Sequence, residues 1–176
     1  MTVSLIDIRE LTRLDEAQIG SLVKLHDAEI VIIVGHGTAH SVGSRHFEFT
    51  AETFPHFPAA EVIWLYACSC GRSLITEMAK RGVTVFGYIT SVLAPATVES
   101  SVAHHIKVIL DEYSGRKSPN VLAWLVQDGL FRKASALLDD ASEQGHGLLL
   151  LQASLINHTR LGLRFALPVG VEPSEP

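Results

Sequence analysis

Cysteine is scarce: two occur in 176 residues, and they sit one residue apart as Cys68 and Cys70. That spacing makes a poor disulfide, and it is not the C-x-x-C of a redox motif. Reduced thiols and a cytoplasmic location are the expectation. Long apolar runs are missing too. The cleanest are "IVIIV" at 30–34 and "LLLL" at 148–151, far short of the ~18 to 20 residues that span a bilayer. Asp7 and Arg9 fall where a secretory signal would need its apolar stretch, so none is expected. Basic charge is short as well, with 14 Lys and Arg against 19 Asp and Glu for a net charge of −5. Lacking a basic footprint, the chain is not expected to hold nucleic acid or an anionic membrane. No internal repeat divides the sequence, and no linker does.

Apolar residues make up 47% of the chain, enough for one domain with a sizeable core. The expected domain covers residues 1–170, with a frayed tail at 171–176. Val3, Leu5 and the following isoleucines read as a first strand. Residues 11–27 carry Leu14, Ile19, Leu22, Val23 and Leu25 at helical spacing, with Thr12 placed to cap them. Glu29 to Gly35 reads as a second strand whose continuous apolar run suits coverage on both faces in a parallel sheet, "EVIWLYAC" at 61–68 as a third of the same kind, and "VTVFGY" at 83–88 as a fourth. "RHFEF" at 45–49 suits half of a hairpin.

Helices are expected at 71–82, ended by Gly82, and at 96–113, with Val98, Val102, Ile106, Ile109 and Leu110 on one side. Another begins at Ser118-Pro119, the N-cap and first-turn pairing, and extends toward Leu138. "LLLLQASLIN" at 148–157 and "LGLRFALPVGV" at 161–171 read as late strands. Strands alternating with helices make an α/β fold with a largely parallel sheet and helices on both faces.

In such sheets the working crevice lies beyond the carboxyl ends of the strands. Two strands end there in reactive side chains: "VIIVGHG" delivers His36, and "WLYAC" delivers Cys68. If the strands are parallel neighbours, ~5 Å apart, imidazole and thiol meet at their tips. A free thiol with a pKa of ~8.5 is mostly protonated at neutral pH. A neighbouring histidine takes its proton, then returns it to a leaving amine. Backbone amides at a glycine-rich strand end supply the oxyanion site, and Gly37 and Cys68 are the candidates.

These residues resemble the caspase-like cysteine peptidases, nearest the bacterial CHAT branch found beside tetratricopeptide repeats. "GHG" after one strand, "WLYACSCG" after another and "GVTVFGYITSV" beyond carry the resemblance, which runs from about Glu29 to about Leu138. It implies a caspase-like three-layer sandwich and an endopeptidase with His36 as base, Cys68 as nucleophile and Gly37 as an oxyanion element. Gly71 matches the closing glycine of the pattern. No cofactor and no metal are implied. The partners implied are a protein substrate and a regulatory protein, such as a repeat protein, that orders the loops around 38–60 and 89–97.

Two departures stand out. Cys70 occupies the usual serine or threonine position, which leaves the identity of the reacting thiol open; Cys68 is favoured because it follows the strand directly. Only 32 residues separate His36 from Cys68, against about 50 in caspases.

Blander readings apply to each part. A strand-end histidine is often merely solvated, and a buried cysteine is often a small hydrophobe. A caspase-like scaffold without turnover is therefore the alternative. A zinc-stabilised domain drawing on His36, His40, His46 and the cysteines is a weaker one, because no pair has zinc-finger spacing. His104 and His105 belong to a helix face, and Gly145-His146-Gly147 to a loop. Phe47, Phe49, Phe54 and Phe57 suit loop packing better than a substrate groove. Asp27 and Glu48 stay outside the site.

Overall fold

A computed structural model describes residues 2–9, 11, 28–92, 96–112, 118–145 and 147–171. The β-branched run that opens the core forms β2 (Ile30–Val34), all five residues of it buried. It lies between β1 (Val3–Asp7) and β6 (Val62–Tyr66), parallel to both. β7 (Thr84–Tyr88) extends the parallel array from β6, and β8 (Leu163–Ala166) closes it antiparallel. The resulting order is β1-β2-β6-β7-β8. Burial on both faces of the three central strands explains why, Thr84 apart, their sequences are continuously apolar and do not alternate.

Alternation along the strands sorts their side chains into two cores. Ile30, Ile32, Val34, Trp64, Tyr66, Phe86 and Tyr88 pack with α2 (Ala96–Glu112), α3 (Pro119–Gln144) and α4 (Gly147–Leu161). Trp64 stacks on Phe86 with ring centroids 4.3 Å apart, and its indole N–H donates to the Tyr88 hydroxyl at 3.2 Å. Burial holds that phenol well above its usual range, although the indole hydrogen bond works the other way. Val31, Ile33, Ile63, Leu65 and Val85 face the opposite way, onto α1 (Leu74–Ala79) and the chain between β2 and β6.

That chain holds no helix. It folds as a small antiparallel sheet of β3 (His36–Gly37), β4 (Ser41–Gly43) and β5 (Glu48–Thr50), so "RHFEF" spans the β4–β5 turn and most of β5. Phe49, Phe54 and Phe57 are buried in a chain of edge-on and tilted rings, 6.0 and 6.3 Å between centroids. They are packing residues, and the short separation of His36 from Cys68 reflects this compact insertion.

Ser118 caps α3 as expected, its hydroxyl accepting from the Val121 N–H with Pro119 in the first turn. The helix passes Leu138 and runs to Gln144, where Gly145 ends it with φ 68°. "LLLLQASLIN", expected as a strand, is instead the body of α4. Leucine, glutamine and alanine favour helix, and Ala153, Ile156 and Thr159 bury one face at three-residue spacing. In the last segment only Leu163–Ala166 is strand. The helix expected at 11–27 and the tail expected at 171–176 lie outside the described residues, apart from Leu11 and Val171. No described helix is long and apolar enough to cross a membrane.

Candidate active site

Register brings the two strand ends level. Val34 on β2 pairs with Tyr66 on β6, and the Gly35 N–H continues the ladder by donating to the Tyr66 carbonyl at 3.3 Å. His36 and Cys68 each follow two residues later. Closeness of the backbones is recorded at Gly37. A β-carbon built there would lie 2.3 Å from the Cys68 carbonyl oxygen and 2.9 Å from the Cys68 nitrogen. No side chain fits at 37 unless the two segments part. Glycine is required because the peptide after His36 rests directly on the peptide of Cys68.

The turn after β6 is tightly specified. Ser69 has φ 57°, the only positive φ at a described non-glycine residue, and this left-handed conformation costs of order 1 kcal/mol or more. It is held by the Ser69 N–H donating to the Thr90 carbonyl at 3.0 Å and the Gly71 N–H donating to the Tyr88 carbonyl at 2.9 Å. Gly71 is needed there: its β-carbon would fall 2.8 Å from the Tyr88 carbonyl carbon. The Ala39 carbonyl accepts from the Leu74 N–H at 2.8 Å, which fastens the loop after His36 to the start of α1.

The two thiols separate cleanly. Cys70 is fully buried, with its sulfhydryl directed at the Ala67 carbonyl at 3.2 Å. Burial pushes its pKa up to about 11, against hydrogen bonds from the Tyr88 backbone and its own. It is a core residue whose sulfur takes up the space beside Gly87, where a β-carbon would lie 2.9 Å from it. Cys68 is half-buried. Its sulfur receives the Val92 N–H at 3.2 Å and faces the Val92 carbonyl at 3.9 Å, so the segment after β7 lies over it. An N–H directed at sulfur is a contact that a thiolate accepts better than a thiol.

His36 is exposed at the rim. Asp7, at the end of β1 and in register with Val34, completes the local electrostatics. Partial burial opposes its ionisation, but hydrogen bonds from the Arg9 side chain and backbone overcome it and hold the carboxyl below its usual range, with His36 adding to the effect. Arg9 is itself buried and bonds Asp7 through Nε at 3.0 Å and Nη2 at 2.5 Å. The sequence carries a weak sign of this neighbour: Val3, Leu5 and Asp7 alternate onto one face of β1, so the last of them ends that row at the rim.

The other candidates scatter. Thr38, Ser41 and Glu48 form a hydrogen-bonded chain inside the small sheet, with the Ser41 hydroxyl donating to Glu48 at 2.6 Å. His105 is half-buried on α2, where burial and then Lys133 depress its pKa. Asp27 and His146 lie outside the described residues. No group of three His, Cys, Asp or Glu able to hold a metal ion occurs among the described residues. Among the described residues, one cleft is lined by Phe54, His56 and Arg81 and a more open one by His105, Asp128 and Lys133; neither includes His36 or Cys68. Comparison with protein-family profiles and with curated protein sequences yields no match.

Proposed function

We propose that the chain is a caspase-like cysteine endopeptidase working through His36 and Cys68. The observation that carries this reading is the seating of Gly37 on the Cys68 peptide, at the carboxyl rim of a parallel sheet. It sets an imidazole-bearing residue and a thiol-bearing residue on adjacent, level strand extensions, where α/β folds build their sites. In this reading His36 takes the Cys68 proton. The sulfur attacks the peptide carbonyl, and the amides of Gly37 and Cys68 receive the oxyanion. His36 then protonates the departing amine, and water releases the acyl group from sulfur. The caspase-like three-layer arrangement and the cytoplasmic setting belong to the same proposal.

The Val92 contacts on the Cys68 sulfur favour a latent form. A carbonyl carbon approaching that sulfur competes with the Val92 peptide for it, so a regulatory partner acts by drawing this segment aside. The same contacts support the second reading, a scaffold without turnover.

One pair of measurements decides between them. The wild-type chain and Cys68→Ala are incubated with a denatured-protein library with and without cell extract, and new peptide ends are read by mass spectrometry. Cleavages present only with the wild type, and lost in His36→Ala, support the peptidase. The scaffold reading stands if iodoacetamide labels Cys68 no faster than a free thiol at neutral pH and no Cys68-dependent ends appear.

A further inference from the structure

We propose that the outer face of the α3–α4 hairpin is the interface of a two-fold homodimer of this chain. This inference is independent of the peptidase reading.

Large apolar side chains stand out on this hairpin. Trp124, Phe131 and Leu138 of α3 are 59%, 51% and 47% exposed. They recur every seven residues, so they form one stripe along the helix, the spacing at which a second helix packs. Gln127 and Ser135 fall between them, and the Asp128–Arg132 ion pair, 2.8 Å long, runs along one edge of the stripe. α4 folds back against α3, and the Arg160 guanidinium lies 5.3 Å from the Phe131 ring centre. That contact places Leu161 near the level of Phe131, and at a helical rise of about 1.5 Å per residue Leu150 then lies beyond Leu138, toward the end of α3. Leu150 and Leu161 are 51% and 59% exposed.

The area argues for a second copy as the occupant. The exposed parts of these five side chains amount to about 500 Å². A standard interface buries about 800 Å² per partner and is about 60% apolar, which calls for nearly the same apolar area from each side. The pattern is also self-complementary. With a two-fold axis at Phe131 and the helices antiparallel, Trp124 of one copy meets Leu138 of the other, and the two Phe131 rings meet each other. Such an interface closes on itself. Arg160 then caps the aromatic pair from each side.

The test is sedimentation equilibrium of the full chain. Twice the chain mass is expected at a protein concentration of about 10 µM. Phe131→Glu, which sets two carboxylates across the axis, shifts the chain to monomer with an unchanged far-ultraviolet circular dichroism spectrum. Trp124→Glu is read alongside it and does the same. In a Cys68→Ala background, Phe131→Cys forms a disulfide-linked dimer on mild oxidation. The proposal is overturned by a wild type that stays monomeric at about 100 µM, by a dimer indifferent to both glutamates, or by a dimer that Phe131→Cys does not cross-link. A monomer that instead binds neutral phosphatidylcholine vesicles through this stripe overturns it as well.

Discussion

The two faces of the sheet treat their cysteines in opposite ways. On the face under α2, α3 and α4, the row that includes Val34 and Tyr66 leads at the rim to Cys68, half-buried and touched by the Val92 backbone. On the face under α1 and the phenylalanine-lined insertion, Cys70 is sunk against Leu65, Ile75 and Met78 and fully shut off from water. One residue, Ser69 in its left-handed conformation, separates the two environments. A thiol's chemistry is set by which side of a turn it lands on, and neighbours in sequence can share none of it.

The largest expected effect is on thiol reactivity. In native buffer a small alkylating reagent labels one thiol per chain, Cys68, while Cys70 reacts orders of magnitude more slowly because it is reached only by opening the structure. Peptide mapping by mass spectrometry checks this. Equal labelling of both thiols erases the contrast between the faces.

Next in size is the contact that joins the two strand ends. Gly37→Val is expected to cost about 3 kcal/mol or more, since its new atoms meet backbone and not a yielding side chain. Gly82→Ala costs about 1 kcal/mol through its φ of 88° alone, with open space around it. Urea denaturation of both variants orders them; equal losses would mean that the Gly37 contact carries no special constraint.

Alkaline pH gives a third measure. Folding raises the Cys70 pKa from 9.0 to about 11, so the native state holds this proton more tightly than the unfolded chain does. The associated stability is fully present below pH 9 and declines as pH rises toward 11, in total on the order of 3 kcal/mol. Cys70→Ala is less stable at pH 7 through its cavity, but its stability falls less steeply between pH 9 and 11. The stability difference between the two proteins therefore narrows over that window. Parallel curves would place Cys70 in contact with water.

The smallest effect expected is at the turn itself. Ser69→Gly relieves the left-handed conformation and stabilises the fold by about 0.5 to 1 kcal/mol, read as a rise in melting temperature. A loss would mean that the serine side chain supports the turn more than its backbone strains it.

Much of the scaffold was legible in the residues. Uninterrupted apolar runs announce strands buried on both faces; β2 and β6 follow that rule fully, and β7 does so after Thr84. Ser118-Pro119 announces a helix start with equal clarity, because the cap uses local atoms only. The leucine run at 148–151 misled because four consecutive apolar residues carry no period; only the later spacing of Ala153, Ile156 and Thr159 distinguishes helix from strand. At the site, the order of His36, Gly37 and Cys68 on strand ends was readable. The buried state of Cys70, the Val92 peptide on the Cys68 sulfur and the Asp7–Arg9 pair beside His36 were not.

Local chemistry thus determined the elements: hydrophobic period, helix caps and glycines act within a few residues and are written in order along the chain. Tertiary structure alone decided which β-strands became neighbours and in what register, and so which side of the turn each thiol faced. Those choices depend on contacts between residues more than 20 positions apart, such as Ser69 with Thr90 and Gly37 with Cys68, and no short window of sequence contains both partners.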